Sequence, residues 1–238
     1  MELIDQRQSR HLTGLSPSIA LQESNTEEIN SKYSWYVLCI LTLSFTVSFI
    51  DRQVLTLLID PIKSDLNISD TQVSLLIGFA FSLFYVSMAI PIARQVDKGN
   101  RVNIIAIGVF FWSIMTGLCG FAKSYWQLFI ARIGVGVGEA TLTPAVYSLI
   151  PDYFPKEKLG TAVGFYMLGM SFGTGFALVL GGAILSYVSA IGDITIPIIG
   201  TLRPWQVTFV IVGFPGILLA LLIKWTVREP KRRNIFEN

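Results

Sequence analysis

Six long apolar segments dominate this sequence and restrict the folds open to it. Each has the roughly 20 residues that an α-helix needs to cross the ~30 Å hydrocarbon core of a bilayer. Backbone polar groups in lipid must bond internally, and membrane strands would show only about 10 residues of alternating character, so we predict helices. The six predicted spans are Trp35–Leu58, Val73–Ala93, Val102–Phe121, Trp126–Ile150, Thr161–Val188 and Trp205–Val227.

The composition agrees with a membrane protein. Of the 238 residues, 52% are hydrophobic and only 14% are charged, whereas soluble domains carry roughly 25% charged residues. A net charge of +2 indicates no nucleic-acid partner. The two cysteines, Cys39 and Cys119, lie in apolar runs, and His11 is the only histidine. We therefore expect no disulfide framework, no metal site and no cofactor.

The spans divide the chain into three predicted parts. Residues 1–34 are polar and are expected to form a flexible cytoplasmic tail without a signal peptide. Residues 35–227 form the six-helix transmembrane bundle. Residues 228–238 form a short cytoplasmic segment after the bundle.

The basic residues in the loops, in the tails and at the ends of the spans predict the orientation. Thirteen lie on one side, which we call the basic side, and three (Lys63, Lys123 and Arg203) lie on the other. The positive-inside rule places the basic side, with both termini, in the cytoplasm. The basic side is defined by Arg7, Arg10, Lys32, Arg94, Lys98, Arg101, Lys156, Lys158, Lys224, Arg228, Lys231, Arg232 and Arg233.

A weak internal repeat relates the two halves of the bundle. The first span opens with "SWYVLCI" and the fourth with "SYWQLFI", and each span later carries an acid and an arginine. This pattern indicates a three-plus-three repeat in which the second unit crosses the membrane in the opposite sense.

Four charged residues lie inside predicted spans and away from their ends: Asp51, Arg52, Arg132 and Glu139. A charge near the bilayer centre costs roughly 2.5–3.5 kcal/mol on insertion scales, so such residues indicate function. Helical rise places Asp51 about 13 Å and Arg132 about 10 Å from the same end of the bundle, with Glu139 one to two turns deeper. Asp51 and Arg52 are about 100° apart around the helix, so we expect them to face different neighbours.

Two interpretations of these charges are open. Asp51 could pair with Arg132 or Arg52 simply to hold helices together. Alternatively, Glu139 is an acid without a partner near the midplane that takes up and releases a proton. Burial favours the neutral carboxyl group and a nearby arginine favours the charged one, so movement between the two environments would load and unload that proton.

Helical spacing predicts which residues share a face. Arg132, Gly136, Glu139 and Thr143 recur on one side of the fourth span, and Ser44, Ser48 and Asp51 do so on the first. Both faces are expected to line a cavity. Small residues also let membrane helices approach closely, and the glycines predicted to serve helix packing are Gly134, Gly136, Gly138, Gly169 and Gly173.

Several stretches carry a resemblance to a known family. The short loop "DKGNR" resembles the signature loop of the major facilitator superfamily, which implies a gating role for Asp97, Lys98 and Arg101. The stretches "FIDRQVL", "ARIGVGVGEATLTPAVYSLIPDYFP" and "PWQVTFVIVGFPGILLALLIKWTVREPKR" are similar to the spinster-like group of that superfamily.

The resemblance implies an all-α membrane protein whose six transmembrane helices form one half, a 3+3 inverted repeat, of a major facilitator fold. Residues 228–238 would then begin the linker to a second half. The implied function is a proton-coupled secondary active transporter that moves an amphiphilic or lipid-like small molecule by alternating access. Asp51 and Glu139 would couple protons, and Arg52 and Arg132 would bind substrate or pair with the acids.

Two other functions are alternative interpretations of the same residues. The chain could be an organic-anion/proton symporter of the sugar-acid type, with Arg52 or Arg132 gripping a carboxylate. It could also be a truncated or non-transporting half, whose partner is a missing C-terminal half or a second copy. An enzyme is not expected, because a sole histidine in a tail permits no Ser–His–acid set. The expected location is a bacterial inner membrane.

Overall fold

The computed structural model describes residues 17–197 and 200–232. The chain divides into two compact units, one ending at Val37 and one beginning at Leu38. By length and composition, six helical spans could cross a membrane, which confirms the predicted number. In chain order, the first to sixth spans are Ser31–Leu57, Asp70–Lys98, Arg101–Cys119, Tyr125–Tyr153, Lys156–Ile191 and Pro204–Thr226.

The first span belongs to helix α1, Pro17–Leu57, which is followed by the short helix α2, Ile59–Leu66. Helix α1 begins within the stretch that was expected to be a flexible tail, and residues 1–16 of that stretch lie outside the described residues. The break at Leu58 has a local cause. Pro61 has no N–H to donate to the Leu57 carbonyl four residues earlier.

The second span contains helix α3, Asp70–Ser74, a π-helical turn, Leu75–Phe79, and helix α4, Ala80–Lys98. A capping box starts it: the Ser69 hydroxyl accepts from the Gln72 N–H at 3.3 Å. In return the Gln72 side chain accepts from the Ser69 N–H at 2.9 Å. These reciprocal bonds satisfy backbone donors that the first turn would otherwise leave unpaired.

The third span is helix α5, Arg101–Cys119, and the fourth consists of α6, Tyr125–Glu139, and α7, Leu142–Tyr153. The fourth span breaks because Pro144 cannot donate to the Ala140 carbonyl. Glu139 is therefore the last residue of a half-helix in the middle of the span, where the regular backbone bonding is interrupted.

The fifth span starts with the 3₁₀ turn Lys156–Lys158 and continues through α8, a second π-helical turn and α9. A two-stranded antiparallel hairpin, which the sequence did not predict, precedes the sixth span, α10. The remaining bounds are α8 Leu159–Phe176, the π-helical turn Ala177–Gly181, α9 Gly182–Ile191, β1 Ile194–Ile196, β2 Gly200–Leu202 and α10 Pro204–Thr226.

Burial separates the spans into two groups. In the first, third, fourth and sixth spans, half or more of the most apolar window is buried, whereas in the second and fifth only 17% is. Trp112, Trp205 and Phe209 are among the large side chains that fill the interior. The second and fifth spans therefore keep most of their apolar surface uncovered by the described residues.

The five glycines predicted to serve helix packing all lie where helices approach closely. A methyl carbon added at Gly136 would lie 2.6 Å from the Phe81 carbonyl oxygen, and one at Gly173 would lie 2.6 Å from the Thr46 carbonyl oxygen. Real Cβ atoms do not approach so near. Added methyl carbons at Gly134, Gly138 and Gly169 would come within 2.7–2.8 Å of Met115, Trp112 and Thr42 respectively.

We expect Gly136→Ala to lower the free energy of unfolding by about 1–3 kcal/mol, because the added methyl group would force the second span away from the fourth. Thermal unfolding of the detergent-solubilised protein measures this. Gly175→Ala is the matched control, because a methyl group there meets no described atom within 4 Å. Equal melting temperatures for the two variants would contradict the close-approach explanation.

Candidate functional site

Glu139 is bound from two sides by the first span. The Arg52 Nε donates to Glu139 Oε2 at 2.6 Å, and the Ser48 hydroxyl donates to the same oxygen at 2.7 Å. Glu139 is only 1% exposed. The expectation of an acid without a partner was therefore wrong: helical spacing places residues on a face but does not show which charge on another helix reaches them.

Three aromatic rings surround the Arg52 guanidinium. Its central carbon lies 5.0 Å from the Phe49 ring centroid, 4.6 Å from that of Phe81 and 5.1 Å from that of Tyr85. Cations are attracted to ring faces at such distances. The Tyr85 hydroxyl also lies 3.1 Å from the Thr143 hydroxyl, beyond the break in the fourth span.

Asp51 faces a different neighbour from Arg52. The Thr116 hydroxyl of the third span donates to Asp51 Oδ2 at 3.2 Å. The other carboxylate oxygen, Oδ1, is buried and has no hydrogen-bond partner among the described residues. Within that same part of the chain Asp51 forms no ion pair, although Arg132, Arg52 and Glu139 all interact with it electrostatically.

Arg132 is buried, and two of its nitrogens form no hydrogen bond with the described residues. It is 2% exposed, and its guanidinium carbon lies 5.6 Å from the centroid of the Phe81 ring. Its Nε and Nη1 have no hydrogen-bond partner among residues 17–197 and 200–232. A buried donor left unpaired costs about 1–3 kcal/mol, more when it is charged. These nitrogens therefore keep hydrogen-bonding capacity that the described residues do not use.

Together these four side chains form a charge site with spare bonding capacity. Arg132 can donate to an oxyanion through two unpaired N–H groups. Asp51 and Glu139 each keep one buried oxygen, Oδ1 and Oε1, that has no partner among residues 17–197 and 200–232 and can accept a proton. Within the described ranges, no cluster of three or more His, Cys, Asp or Glu residues could hold a metal ion.

A second buried arginine lies at the basic side. Arg101 is 1% exposed and donates to Glu229 Oε1 at 2.6 Å, to the Ser148 carbonyl at 2.8 Å and to Asp152. The other Glu229 oxygen accepts from the Val102 N–H at 3.0 Å. Arg101 thus joins the third span to the fourth span and to the segment after the sixth.

That segment also holds the loop between the second and third spans. Arg232 donates to the Val96 and Gly99 carbonyls at 2.7 and 2.8 Å, and to the Asp97 carbonyl. Asp97 and Lys98 are exposed, so of the three residues assigned to the gating motif only Arg101 is buried.

Sequence reasoning missed the residues on other elements that contact the predicted site residues. Thr116, Phe81 and Tyr85 carry no pattern that distinguishes them from ordinary residues of an apolar helix. Glu229 and Arg232 had a visible signal, because "REPKR" places charges of both signs directly after an apolar span. We treated that stretch as the start of a linker, not as a part of the bundle.

Comparisons with known proteins agree with this architecture. A family model described as the Major Facilitator Superfamily matches residues 41–237. Among solved structures, a bacterial homologue of the human lysosomal transporter Spinster, inward-facing and unoccupied, is 43% identical with a TM-score of 0.76. The match covers 84% of this chain and 44% of that chain. It confirms the spinster-like resemblance and the fold.

Curated relatives include an efflux pump, a sugar-acid transporter and a spinster homologue. An MFS-type efflux pump of Mycolicibacterium smegmatis is 29% identical over 87% of this chain and 45% of its own length. A probable galactarate/D-glucarate transporter of Bacillus subtilis is 29% identical over 83% and 41%. Protein spinster homolog 1 of Xenopus tropicalis is 28% identical over 86% and 36%. The chain spans less than half the length of these relatives. The transport proteins among them confirm the prediction that the chain is not an enzyme.

We expect Asp152→Asn to destabilise the bundle by about 3 kcal/mol, because it removes a charged partner from the buried Arg101. The melting temperature in detergent should fall accordingly. Glu157→Gln, which changes an exposed acid on the same side, serves as the control and should leave the melting temperature nearly unchanged. Similar small shifts for both variants would show that Asp152 does not stabilise Arg101.

Proposed function

Because this chain belongs to the Major Facilitator Superfamily, we propose that it is the six-span half of a proton-coupled secondary active transporter that works by alternating access. The observation that carries this proposal is the buried charge site of Asp51, Arg52, Arg132 and Glu139, in which one ion pair is formed and several polar atoms stay unpaired. As an integral multi-pass protein it would lie in a bacterial inner membrane, with the basic side in the cytoplasm. No cofactor is needed.

Proton coupling in this proposal depends on Glu139 and Asp51. Protonation of Glu139 neutralises one side of the 2.6 Å pair with Arg52, so the ion pair that joins the first and fourth spans weakens. Asp51, hydrogen-bonded to Thr116 on the third span, is the second proton acceptor. A proton taken up at either acid would therefore change which spans are held together, as alternating access requires.

The proposed substrate is an amphiphilic or lipid-like small molecule, the class implied by the spinster-like resemblance. The site has two parts that suit such a molecule. The unpaired N–H groups of Arg132 can bind a polar, anionic head. The Phe81 ring, whose centroid lies 5.6 Å from the Arg132 guanidinium carbon, offers apolar surface to the rest of the molecule.

An organic anion of the sugar-acid type is the second candidate substrate. The relatives that favour it are the probable galactarate/D-glucarate transporter of Bacillus subtilis and a hexuronate transporter of Escherichia coli, which is 28% identical over 79% of this chain. In this case the fork-shaped guanidinium of Arg132 would grip a substrate carboxylate through two parallel hydrogen bonds.

The partner in either case is a second six-span unit, because the chain spans less than half of its relatives. The second and fifth spans, only 17% buried in their apolar windows, offer the surface for it. Asp97 and Lys98 remain accessible at the basic side for the proposed gating contact. The unit would be a missing C-terminal half or a second copy. The remaining alternative is a half that does not transport alone.

We expect Glu139→Gln to abolish the dependence of uptake on a pH gradient while leaving membrane insertion intact, since glutamine neither gains nor loses a proton. Uptake into vesicles reconstituted with the chain, with and without a gradient, measures this. Glu157→Gln is the control for a changed acid. Undiminished gradient dependence would contradict the coupling role of Glu139.

No uptake by any form of the chain would support the non-transporting alternative. The mass of the reconstituted species shows whether one or two copies are present.

We expect Arg132→Lys to separate the two substrate classes, because lysine keeps the charge but loses the fork. If the substrate is a sugar acid, D-glucarate uptake should fall about tenfold or more. If it is an amphiphile, uptake of a fluorescent lysophospholipid should be present in the unmodified chain and change little. Arg94→Lys, at an exposed position, is the control. A chain that transports neither probe would contradict both proposals.

A further inference from the structure

We propose that Phe49, Phe81 and Tyr85 form an aromatic cage that is the alternative partner of Arg52, holding its guanidinium in place when Glu139 takes up a proton. This inference rests on the proposed proton-coupling role of Glu139. It assigns to the three rings a positioning role: they act on the coupling reaction through Arg52.

The cage and Glu139 use different parts of the guanidinium. Glu139 accepts in the plane of the group, from Nε at 2.6 Å. The centroids of the three rings lie 4.6–5.1 Å from the central carbon of the guanidinium. At such distances a ring face attracts the delocalised charge. Both kinds of partner are therefore present together in this structure, and loss of the carboxylate charge leaves the ring contacts as they are.

The need for such a cage follows from burial. Protonation of Glu139 would leave Arg52, whose side chain is only 26% exposed, without its charged partner. A buried cation without compensation is strongly unfavourable. Phenyl rings do not titrate, so their attraction for Arg52 persists at any pH. Arg52 can then stay in position while the proton comes and goes.

The cage also joins the charge site to the second span. Phe81 and Tyr85 lie on α4, and their rings stack with centroids 5.6 Å apart. The Phe81 ring additionally faces Arg132 at 5.6 Å. A π-helical turn, Leu75–Phe79, ends two residues before Phe81. One of the two least buried spans therefore supplies Phe81, the ring that contacts both arginines.

The other ionisable groups around the pair are few in the described part of the chain. Asp51 interacts electrostatically with Glu139, Arg52 and Arg132. Tyr85 lies beside Arg52, and its hydroxyl is engaged with Thr143 at 3.1 Å. These groups are left unchanged in the test, so that only the carboxyl group and the ring face of the cage vary.

A double-mutant cycle tests the cage directly. Glu139→Gln imitates the protonated acid, and Phe81→Leu removes a ring face while keeping apolar volume. If the cage is the alternative partner, the fall in melting temperature caused by Phe81→Leu should be about twice as large in the Glu139→Gln background as in the unmodified chain. Equal falls in the two backgrounds would overturn the proposal, since a ring that only fills space contributes additively.

Phe209→Leu is the matched control, because Phe209 and Phe81 are both buried, at 0% and 7% exposed. The Phe209 ring lies 6.2 Å from the Trp205 ring, and no cage ring or guanidinium is paired with it in the described structure. Its effect should add to that of Glu139→Gln. Phe81→Tyr keeps the ring face and should show additive behaviour too. Non-additivity of the Phe209 variant as well would overturn the specific role of the cage.

Failure to fold is also an informative outcome. Loss of folded protein in Phe81→Leu/Glu139→Gln, with Phe209→Leu/Glu139→Gln folded, is the extreme form of the expected non-additivity. Loss of both would count against the cage. The cycle measures stability, so it is independent of proton flux. An additive cycle alongside a Glu139→Gln variant that has lost its gradient dependence would refute the cage and leave the proposed function standing. The reverse pattern would refute the coupling role alone.

Discussion

The ion pair between Arg52 and Glu139 is the interaction on which the rest of the site depends. It joins the first and fourth spans at 2.6 Å, at the point where the fourth span is broken. Two opposite charges cost far less inside a membrane when they meet than when they stand apart. The pair therefore makes an otherwise unfavourable set of residues tolerable, and Ser48 and the three aromatic rings all contact one of its two members.

Two buried arginines in this bundle show how bonding, not burial, distinguishes a structural group from a candidate functional one. Arg101 is 1% exposed and bonds to Asp152, Glu229 and the Ser148 carbonyl. Arg132 is 2% exposed, yet two of its nitrogens find no partner in the described structure. A satisfied buried charge locks helices together, whereas an unsatisfied one keeps bonding capacity for something that arrives later. Arg101 lies at the basic side and Arg132 belongs to the charge site, so the two kinds of buried arginine occupy separate regions of the second compact unit.

The uneven burial of the spans agrees with the finding that the chain spans less than half the length of its relatives. The match to the bacterial Spinster homologue covers 44% of that chain, and the second and fifth spans are left largely uncovered. The segment Arg228–Arg232, which the sequence suggested was a linker, instead contacts three different parts of the basic side through Arg228, Glu229 and Arg232. The end of the six-span unit is therefore fastened to the loop that precedes the third span.

The sequence by itself determined the number of spans, their helical character, the family and the four charged residues within the membrane-length segments. These follow from local quantities: apolar length, the cost of unpaired backbone groups in lipid, and short motifs. Only the tertiary structure decided which charges meet. It paired Glu139 with Arg52, against the expectation of a solitary acid, gave Asp51 a threonine from the third span, and placed rings from two spans over Arg52. The physical reason is that helical periodicity fixes the direction of a side chain on its own helix, whereas its partner depends on how neighbouring helices are rotated and how closely glycines such as Gly136 let them approach.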